Sequence, residues 1–199
     1  MAVAVSLVQA MALSSIATLN TPGLCSSDSI AATIFKKILQ TEGTDPLRLS
    51  DMHTEKGSTT NILFHGLRKM ELSNSAEFWR DNNQDLGVRF SIENLSKSAP
   101  CYMTANYNFL LSGNMTVHLN DLRIGIKIRI AKKTQVVRVM NVVVEALGEL
   151  DIEAPGLPSR MVRQIEQKLR AGRQLVIANF RNTLQNRLNK NPWTVNISC

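Results

Sequence analysis

The sequence predicts an α+β fold in which a long curved antiparallel sheet wraps around a long C-terminal helix, with a shorter helix at its N-terminal end. Three observations predict this fold. They are an apolar stripe at helical spacing near residue 30, several alternating strands joined by short turns, and a long amphipathic run that ends before Pro192. Strands joined by short turns pair antiparallel, and a sheet with one apolar face buries that face against another element. The chain has 199 residues, 44% of them hydrophobic, which suits one domain with a substantial core.

The N-terminal residues predict a signal peptide. Residues 1–27 contain no charged side chain, and Val3–Ala17 is mostly apolar and ends in "SIA". This length suits a signal peptide and is short for a membrane span, although the usual basic start is missing. A buried N-terminal helix is the alternative. We therefore expect a signal peptide at 1–17, a linker at 18–27, one domain at 28–191 and a tail at 192–199, in a secreted protein.

The first helix follows Asp28, and strands follow it. Ile30, Ile34 and Ile38 form its apolar stripe, and it ends before Asp45-Pro46. Extended runs are then predicted at 61–67, 86–94, 102–113, 114–130 and 134–155.

The stretch "LRIGIKIRIAKK" (122–133) has isoleucine at every second position and cations in most of the gaps. Such a strand has one apolar face and one cationic face. Its alternation is out of phase with that of Met115, Val117 and Leu119, so we expect one long strand with a β-bulge at Asn120-Asp121.

The last element is a long helix. Pro158 suits its first turn and Asn191-Pro192 its end, and Gly172 is expected to kink it. Its apolar stripe consists of Leu157, Met161, Ile165, Leu169, Val176, Phe180, Leu184 and Leu188.

These elements resemble those of the group 7 dust-mite allergen family. The resemblance rests on "DPLRLSD" (45–51), "NILFHGLRKM" (61–70), "GNMT" (113–116) before a long strand, and the amphipathic C-terminal helix. Related arthropod families are the juvenile-hormone-binding and takeout-like proteins, and all resemble one half of the lipid-binding tube of bactericidal/permeability-increasing protein. The resemblance implies a super-roll, a non-enzymatic role and an apolar tunnel for a hydrophobic ligand. The chain is strongly basic, and it has a single N-terminal cysteine where takeout-like proteins have a pair. These departures favour the group 7 branch and leave the ligand open.

The apolar faces of the strands and of the long helix are candidates for the lining of that tunnel, and a solid core is the alternative. The candidates are Ile62, Phe64, Val88, Phe90, Ile92, Tyr107, Phe109, Ile124, Ile126, Ile128, Val142, Val144, Met161, Ile165, Val176 and Phe180.

The charge balance favours anionic partners. The chain has 23 Lys plus Arg against 16 Asp plus Glu, a formal net charge of +7. The candidate anion-attracting residues are Arg123, Lys127, Arg129, Arg163, Arg170 and Arg173. A basic amphipathic helix can bind an anionic membrane or a polysaccharide, serve in homodimerisation, or simply be solvated. Nucleic acid is disfavoured as a partner because no aromatic side chains are interleaved with these charges.

The cysteines and sequons fit a secreted protein. Among three possible pairings of Cys25, Cys101 and Cys199 we favour a Cys101–Cys199 disulfide, because both residues adjoin predicted element ends. Asn94, Asn114 and Asn196 begin N-glycosylation sequons.

Catalytic patterns are weak. The three histidines are scattered, and the sequence has no H-E-x-x-H, G-x-S-x-G or P-loop motif. The cysteine spacing does not match a zinc site, and we expect no cofactor or metal.

Overall fold

The computed structural model describes residues 27–55, 57–73, 76–94, 101–109 and 111–195, and these form the α+β super-roll that the sequence predicts. Within them the helices are α1 (Ser27–Gln40), α2 (Ser159–Ala171) and α3 (Arg173–Lys190), with a short 3-10 turn at Leu67–Lys69. The strands are β1 (Leu47–Arg48), β2 (Met52–Thr54), β3 (Gly57–His65), β4 (Glu71–Leu72), β5 (Glu77–Arg80), β6 (Leu86–Glu93), β7 (Cys101–Asn108), β8 (Ser112–Leu119), β9 (Arg123–Ile130), β10 (Val136–Ala146), β11 (Leu150–Glu153) and β12 (Trp193–Thr194).

The strands form two antiparallel sheets. Sheet A has the order β1-β3-β7-β8-β11, with β2 paired to β3. Sheet B has the order β12-β10-β9-β6-β4, with β5 paired to β6. Helix α3 packs against β10 and α2 against β11, so the C-terminal helices cover strands of both sheets.

The core of sheet B follows from the alternation in β9. Ile124, Ile126 and Ile128 are each 0% exposed. They lie opposite Ile92, Phe90 and Val88 of β6, in that order, and the residues between them point to the other face. The apolar face of this strand is therefore plain hydrophobic core.

The predicted single strand at 114–130 is wrong. It is divided into β8 and β9, which belong to different sheets. Asp121 adopts φ 51, a left-handed conformation that a short polar side chain tolerates, and the chain turns there. The phase shift in the sequence therefore marks a turn between sheets, whereas a register shift lies within β10, between Val139 and Asn141.

The predicted C-terminal helix is broken at Gly172, where a kink was expected. Before the break, α2 contains no fully buried residue. After it, α3 buries Phe180, Leu184 and Leu188. The ring of Phe180 packs on that of Phe64, with 4.8 Å between their centroids. Only the second half of the apolar stripe is thus part of the compact core.

Candidate ligand-binding cleft

A cleft of about 1030 Å³ separates sheet A from α2 and the first turns of α3. Its volume is at the upper end of the range for small-molecule sites, roughly 300–1,000 Å³. The strand side is formed by Met52, His53, Glu55, Gly57, Thr59, Tyr107, Phe109, Leu111 and Met115. The helix side is formed by Leu157, Met161, Gln164, Ile165, Lys168, Leu169, Gly172, Leu175, Val176 and Asn179.

The cleft continues into a small void of about 20 Å³ beneath it. Ile62, Met103, Ala105 and Val117 of sheet A line this extension, together with residues that also line the main cleft. Apolar side chains therefore extend from the cleft to the floor formed by sheet A.

The apolar face of α2 explains why space remains here. Met161, Ile165 and Leu169 follow one another at i, i+4 spacing, so they lie on one face of the helix. All three line the cleft and are only half-buried. This face therefore meets empty volume where the matching face of α3 meets core side chains.

Two contacts fix the helices beside the cleft. Asn179 donates from Nδ2 to the Ser50 carbonyl at 2.8 Å and accepts from the Ser50 amide at 3.2 Å. Arg173, just after the break, donates to the Leu147 carbonyl. The start of α3 is thereby attached to both the β1–β2 link and the β10–β11 link.

The strand side depends on a glycine. Gly57 has φ +148, and a Cβ there would lie 2.3 Å from the Asn108 carbonyl oxygen and from the Phe109 ring. A side chain would therefore require Phe109 to move out of the cleft wall.

Few polar groups reach the cleft. The Lys168 ammonium lies 5.6 Å from the centre of the Phe109 ring, within reach of a cation–π contact. His53 and Glu55 are exposed to solvent, whereas Thr59 is buried. An apolar wall with a few polar groups is typical of sites that bind by burying apolar surface.

The structure divides the predicted lining residues into two groups. Tyr107, Phe109, Met161, Ile165 and Val176 line the cleft, and Ile62 lines its small extension. The other ten, which belong to the hydrophobic core or pack against it, are Phe64, Val88, Phe90, Ile92, Ile124, Ile126, Ile128, Val142, Val144 and Phe180. For these ten, the solid-core alternative is the one that the structure favours.

Several residues that line the cleft are not among those predicted from the sequence. Met52 lies in the polar stretch before β3, and Leu111 lies in the connection between β7 and β8. Leu157 and Leu169 were predicted on the apolar stripe of the helix, but not as residues that line a cleft. No signal in the sequence distinguishes the half of this stripe that faces the cleft.

The cations predicted on β9 are largely engaged by neighbouring side chains. Arg123 pairs with Glu93 at 2.5 Å. Arg129 pairs with Asp81 at 2.5 Å and with Asp85 at 2.9 Å. The Lys127 ammonium lies 4.8 Å from the centre of the Trp79 ring. These contacts make the outer face of β9 a network of opposite charges, which attracts anions less than the sequence suggests.

The predicted cations of the helices differ from one another. Arg170 pairs with Glu166 at 2.5 Å, and Arg173 is half-buried through its contact with Leu147. Arg163 is exposed on α2. Of the six predicted residues, Lys127, Arg163 and Arg170 are exposed, and Arg123, Arg129 and Arg173 are half-buried.

Cys101, the one cysteine among the described residues, is a fully buried free thiol. Its Sγ donates to the Gly66 carbonyl at 3.6 Å. Burial raises the pKa of this thiol from 9.0 to about 11, and the Asp45 carboxylate adds to the rise. Cys199, like Cys25, lies outside the described residues, so the Cys101–Cys199 pairing stays a prediction.

The predicted glycosylation sites are only partly described. Asn114 is exposed on β8, whereas Asn94 is half-buried after β6. Asn196 lies outside the described residues. Glycosylation therefore stays a prediction, with Asn114 the more accessible of the two described sites.

The described part of the chain has neither a metal-binding cluster nor a membrane-spanning helix. It contains no group of three or more His, Cys, Asp or Glu side chains placed to hold a metal ion. It also contains no helix that is long and apolar enough to cross a membrane.

Comparisons with known proteins show a similar fold but no related sequence. No protein-family model matches the sequence, and no curated protein matches it. Among solved structures, Takeout 1 of Epiphyas postvittana is similar with a TM-score of 0.50 and 13% identity, over 85% of this chain and 91% of that one. A lipopolysaccharide binding protein is similar with a TM-score of 0.46 and 12% identity, over 82% of this chain and 36% of that one. The chain therefore has the fold of Takeout 1, while membership of the group 7 mite family stays a prediction.

Proposed function

We propose that the protein is a secreted, non-enzymatic binding protein that holds an elongated apolar molecule, such as a fatty acyl chain, in the cleft. The observation that supports this proposal is a cleft of about 1030 Å³ with mainly apolar walls, beside a core that is otherwise closely packed. Empty apolar volume destabilises a fold unless something fills it. A ligand that fills the cleft therefore stabilises the folded protein.

Burial of apolar surface supplies the driving force. Each methylene removed from water contributes roughly 0.8 kcal/mol, so about twelve of them contribute about 10 kcal/mol before the cost of association. That cost is roughly 4–15 kcal/mol, so a net affinity remains only toward the lower end of this range, where it is weak to moderate. We expect the dissociation constant to fall about fourfold for each added methylene until the cleft is full.

We also propose that the chain is related to the group 7 mite allergens. The two motifs that resemble group 7 mite allergens meet in the fold: the Asp45 carboxylate accepts from the Gly66 amide at 3.0 Å and from the Arg68 amide at 2.8 Å. The contact gives "DP" and "HGLR" one shared structural role. The single cysteine of the N-terminal stretch supports the group 7 assignment over the takeout-like one.

The alternative is a surface-interaction protein with a solid core, whose basic helix binds anionic lipid or polysaccharide. The cleft weighs against the solid core, because the apolar face of α2 is only partly buried and borders empty volume. Secretion is supported by the uncharged apolar stretch at 1–17 and by the exposed Asn114 sequon.

Native mass spectrometry of the secreted protein, followed by denaturing extraction, tests the proposal first. We expect an excess mass that the extract identifies as an apolar species. Titration with a fluorescent fatty acid should then show binding to the emptied protein. A mass equal to that of the chain and its glycans, with no probe uptake by folded protein, would contradict the proposal.

A matched pair of variants places the ligand. Ile165→Trp puts a larger side chain into the cleft and should weaken probe binding at least tenfold. Gln167→Trp puts the same side chain on the exposed side of α2 and should leave the affinity unchanged. Equal effects of the two substitutions would place the probe elsewhere.

A further inference from the structure

We propose that the opening of the cleft docks on an anionic lipid bilayer, with α2 lying along the membrane surface. This inference rests on the proposed function and adds to it the surface from which an apolar ligand enters. Its partner is a bilayer that contains acidic phospholipids.

The first observation is a pair of exposed leucines. Leu175, in the first turn of α3, is 72% exposed, and Leu111, between β7 and β8, is 48% exposed. Both line the cleft, one on the helix side and one on the strand side. Apolar side chains on the two sides of an opening lose solvent contact if the opening is placed against acyl chains.

The second observation is the charge of α2. The helix contains Arg160, Arg163, Lys168 and Arg170, with Glu166 as its one acidic residue. Glu166 pairs with Arg170, while Arg160 and Arg163 are exposed. Because the apolar face of α2 lines the cleft, the exposed arginines are the part of the helix that can face an acidic membrane surface.

The third observation is the contrast with sheet B. The cations of β9 pair with carboxylates or lie over Trp79, so that face attracts an acidic surface weakly. The acidic residue that lines the cleft is Glu55, on the strand side. Arg160 and Arg163 thus place exposed positive charge on the helix that forms one wall of the cleft, and charge complementarity favours an acidic bilayer over a neutral one.

Docking in this orientation has a consequence for ligand exchange. The two exposed leucines would meet the bilayer at the opening, and the apolar face of α2 would line the path behind them. An acyl chain could then move between bilayer and cleft without full exposure to water, which is the costly step for an apolar molecule.

Vesicle co-sedimentation of the full chain tests the proposal. The protein should bind vesicles of phosphatidylcholine mixed with phosphatidylserine, and bind pure phosphatidylcholine vesicles far less. Binding should weaken as salt is raised, because exposed charges are screened.

Paired charge variants locate the surface. The double variant Arg160→Gln, Arg163→Gln should weaken vesicle binding by about 25-fold, at about fivefold for each cation. The double variant Lys132→Gln, Lys133→Gln removes the same charge from the exposed β9–β10 turn and should change binding little. Leu175→Ser should also weaken vesicle binding, and circular dichroism should show that each variant is folded.

The outcomes separate this inference from the proposed function. Probe uptake in solution without vesicle binding would overturn docking and leave the cleft as the ligand site. Equal loss of vesicle binding in the two double variants would also overturn it, because net charge alone would then explain the attraction. Vesicle binding that depends on Arg160 and Arg163, in a protein that takes up no probe, would support docking and contradict the proposed function.

Discussion

At the residue scale, surroundings decide what each cation and thiol can do. Arg129 and Arg163 are the same residue type, yet Arg129 is engaged by two aspartates and Arg163 is exposed. Cys101 shows the same dependence. Its thiol is enclosed between β7 and Gly66, so burial disfavours the charged thiolate.

The raised pKa of Cys101 predicts slow alkylation. A rise from 9.0 to about 11 lowers the thiolate fraction about a hundredfold at pH values below both. Because the thiolate is the nucleophile, iodoacetamide at about pH 8 should modify Cys101 at least a hundredfold more slowly in the folded protein than in denaturant. Peptide mass spectrometry measures this rate for each cysteine separately.

The same peptide map tests the predicted disulfide. A Cys101–Cys199 bond would appear as a linked peptide in the denatured, unreduced sample. Equal alkylation rates of Cys101 with and without denaturant would instead show that the thiol is not enclosed.

At the element scale, two apolar faces of similar composition have different roles. The isoleucine face of β9, which pairs with β6 and β10 in sheet B, is fully buried. The apolar face of α2 is half-buried and borders the cleft. The break at Gly172 separates this face from the packed part of α3.

A matched pair of truncations tests this division. Ile126→Ala removes a fully buried side chain and should cost about 2–5 kcal/mol of unfolding free energy, with no specific loss of probe affinity in the folded fraction. Ile165→Ala should cost about 1 kcal/mol or less but weaken probe binding roughly four- to tenfold. Urea unfolding and probe titration measure the two effects. The reverse pattern would place the ligand against β9.

At the scale of the whole molecule, the fold places a closely packed core beside an open cleft. Sheet B, α3 and part of sheet A form the packed region, and α2 covers the rest of sheet A across the cleft. Stability of the whole chain should therefore depend on whether the cleft is filled.

Removal of the ligand should lower the melting temperature. A ligand at a hundredfold excess over its dissociation constant stabilises the folded state by about 2.7 kcal/mol. For a domain of this size, each kcal/mol shifts the melting temperature by about 2–4 °C, so we expect a difference of roughly 5–11 °C between filled and emptied protein. Differential scanning calorimetry measures it, and identical melting temperatures at saturating fatty acid would contradict ligand binding in the native state.

Much of the fold was accessible to prediction. The alternation of Ile124, Ile126 and Ile128 identified a strand with one buried face, and the spacing of Ile30, Ile34 and Ile38 identified α1. A kink was also expected at Gly172, where the structure has a break between two helices. The cleft was less predictable, since five of the predicted lining residues line it and ten belong to the packed core or lie against it.

The sequence by itself determined which residues are apolar and which secondary structure they form, because side-chain periodicity is a local property of strand and helix. Only the tertiary structure decided that the phase change at Asn120-Asp121 is a turn between sheets, that the cations of β9 are paired, and that α2 borders a cleft while α3 packs against the core. Each of these depends on the distance between elements far apart in the chain. An apolar stripe has the same pattern whether its neighbour lies in contact with it or several ångströms away.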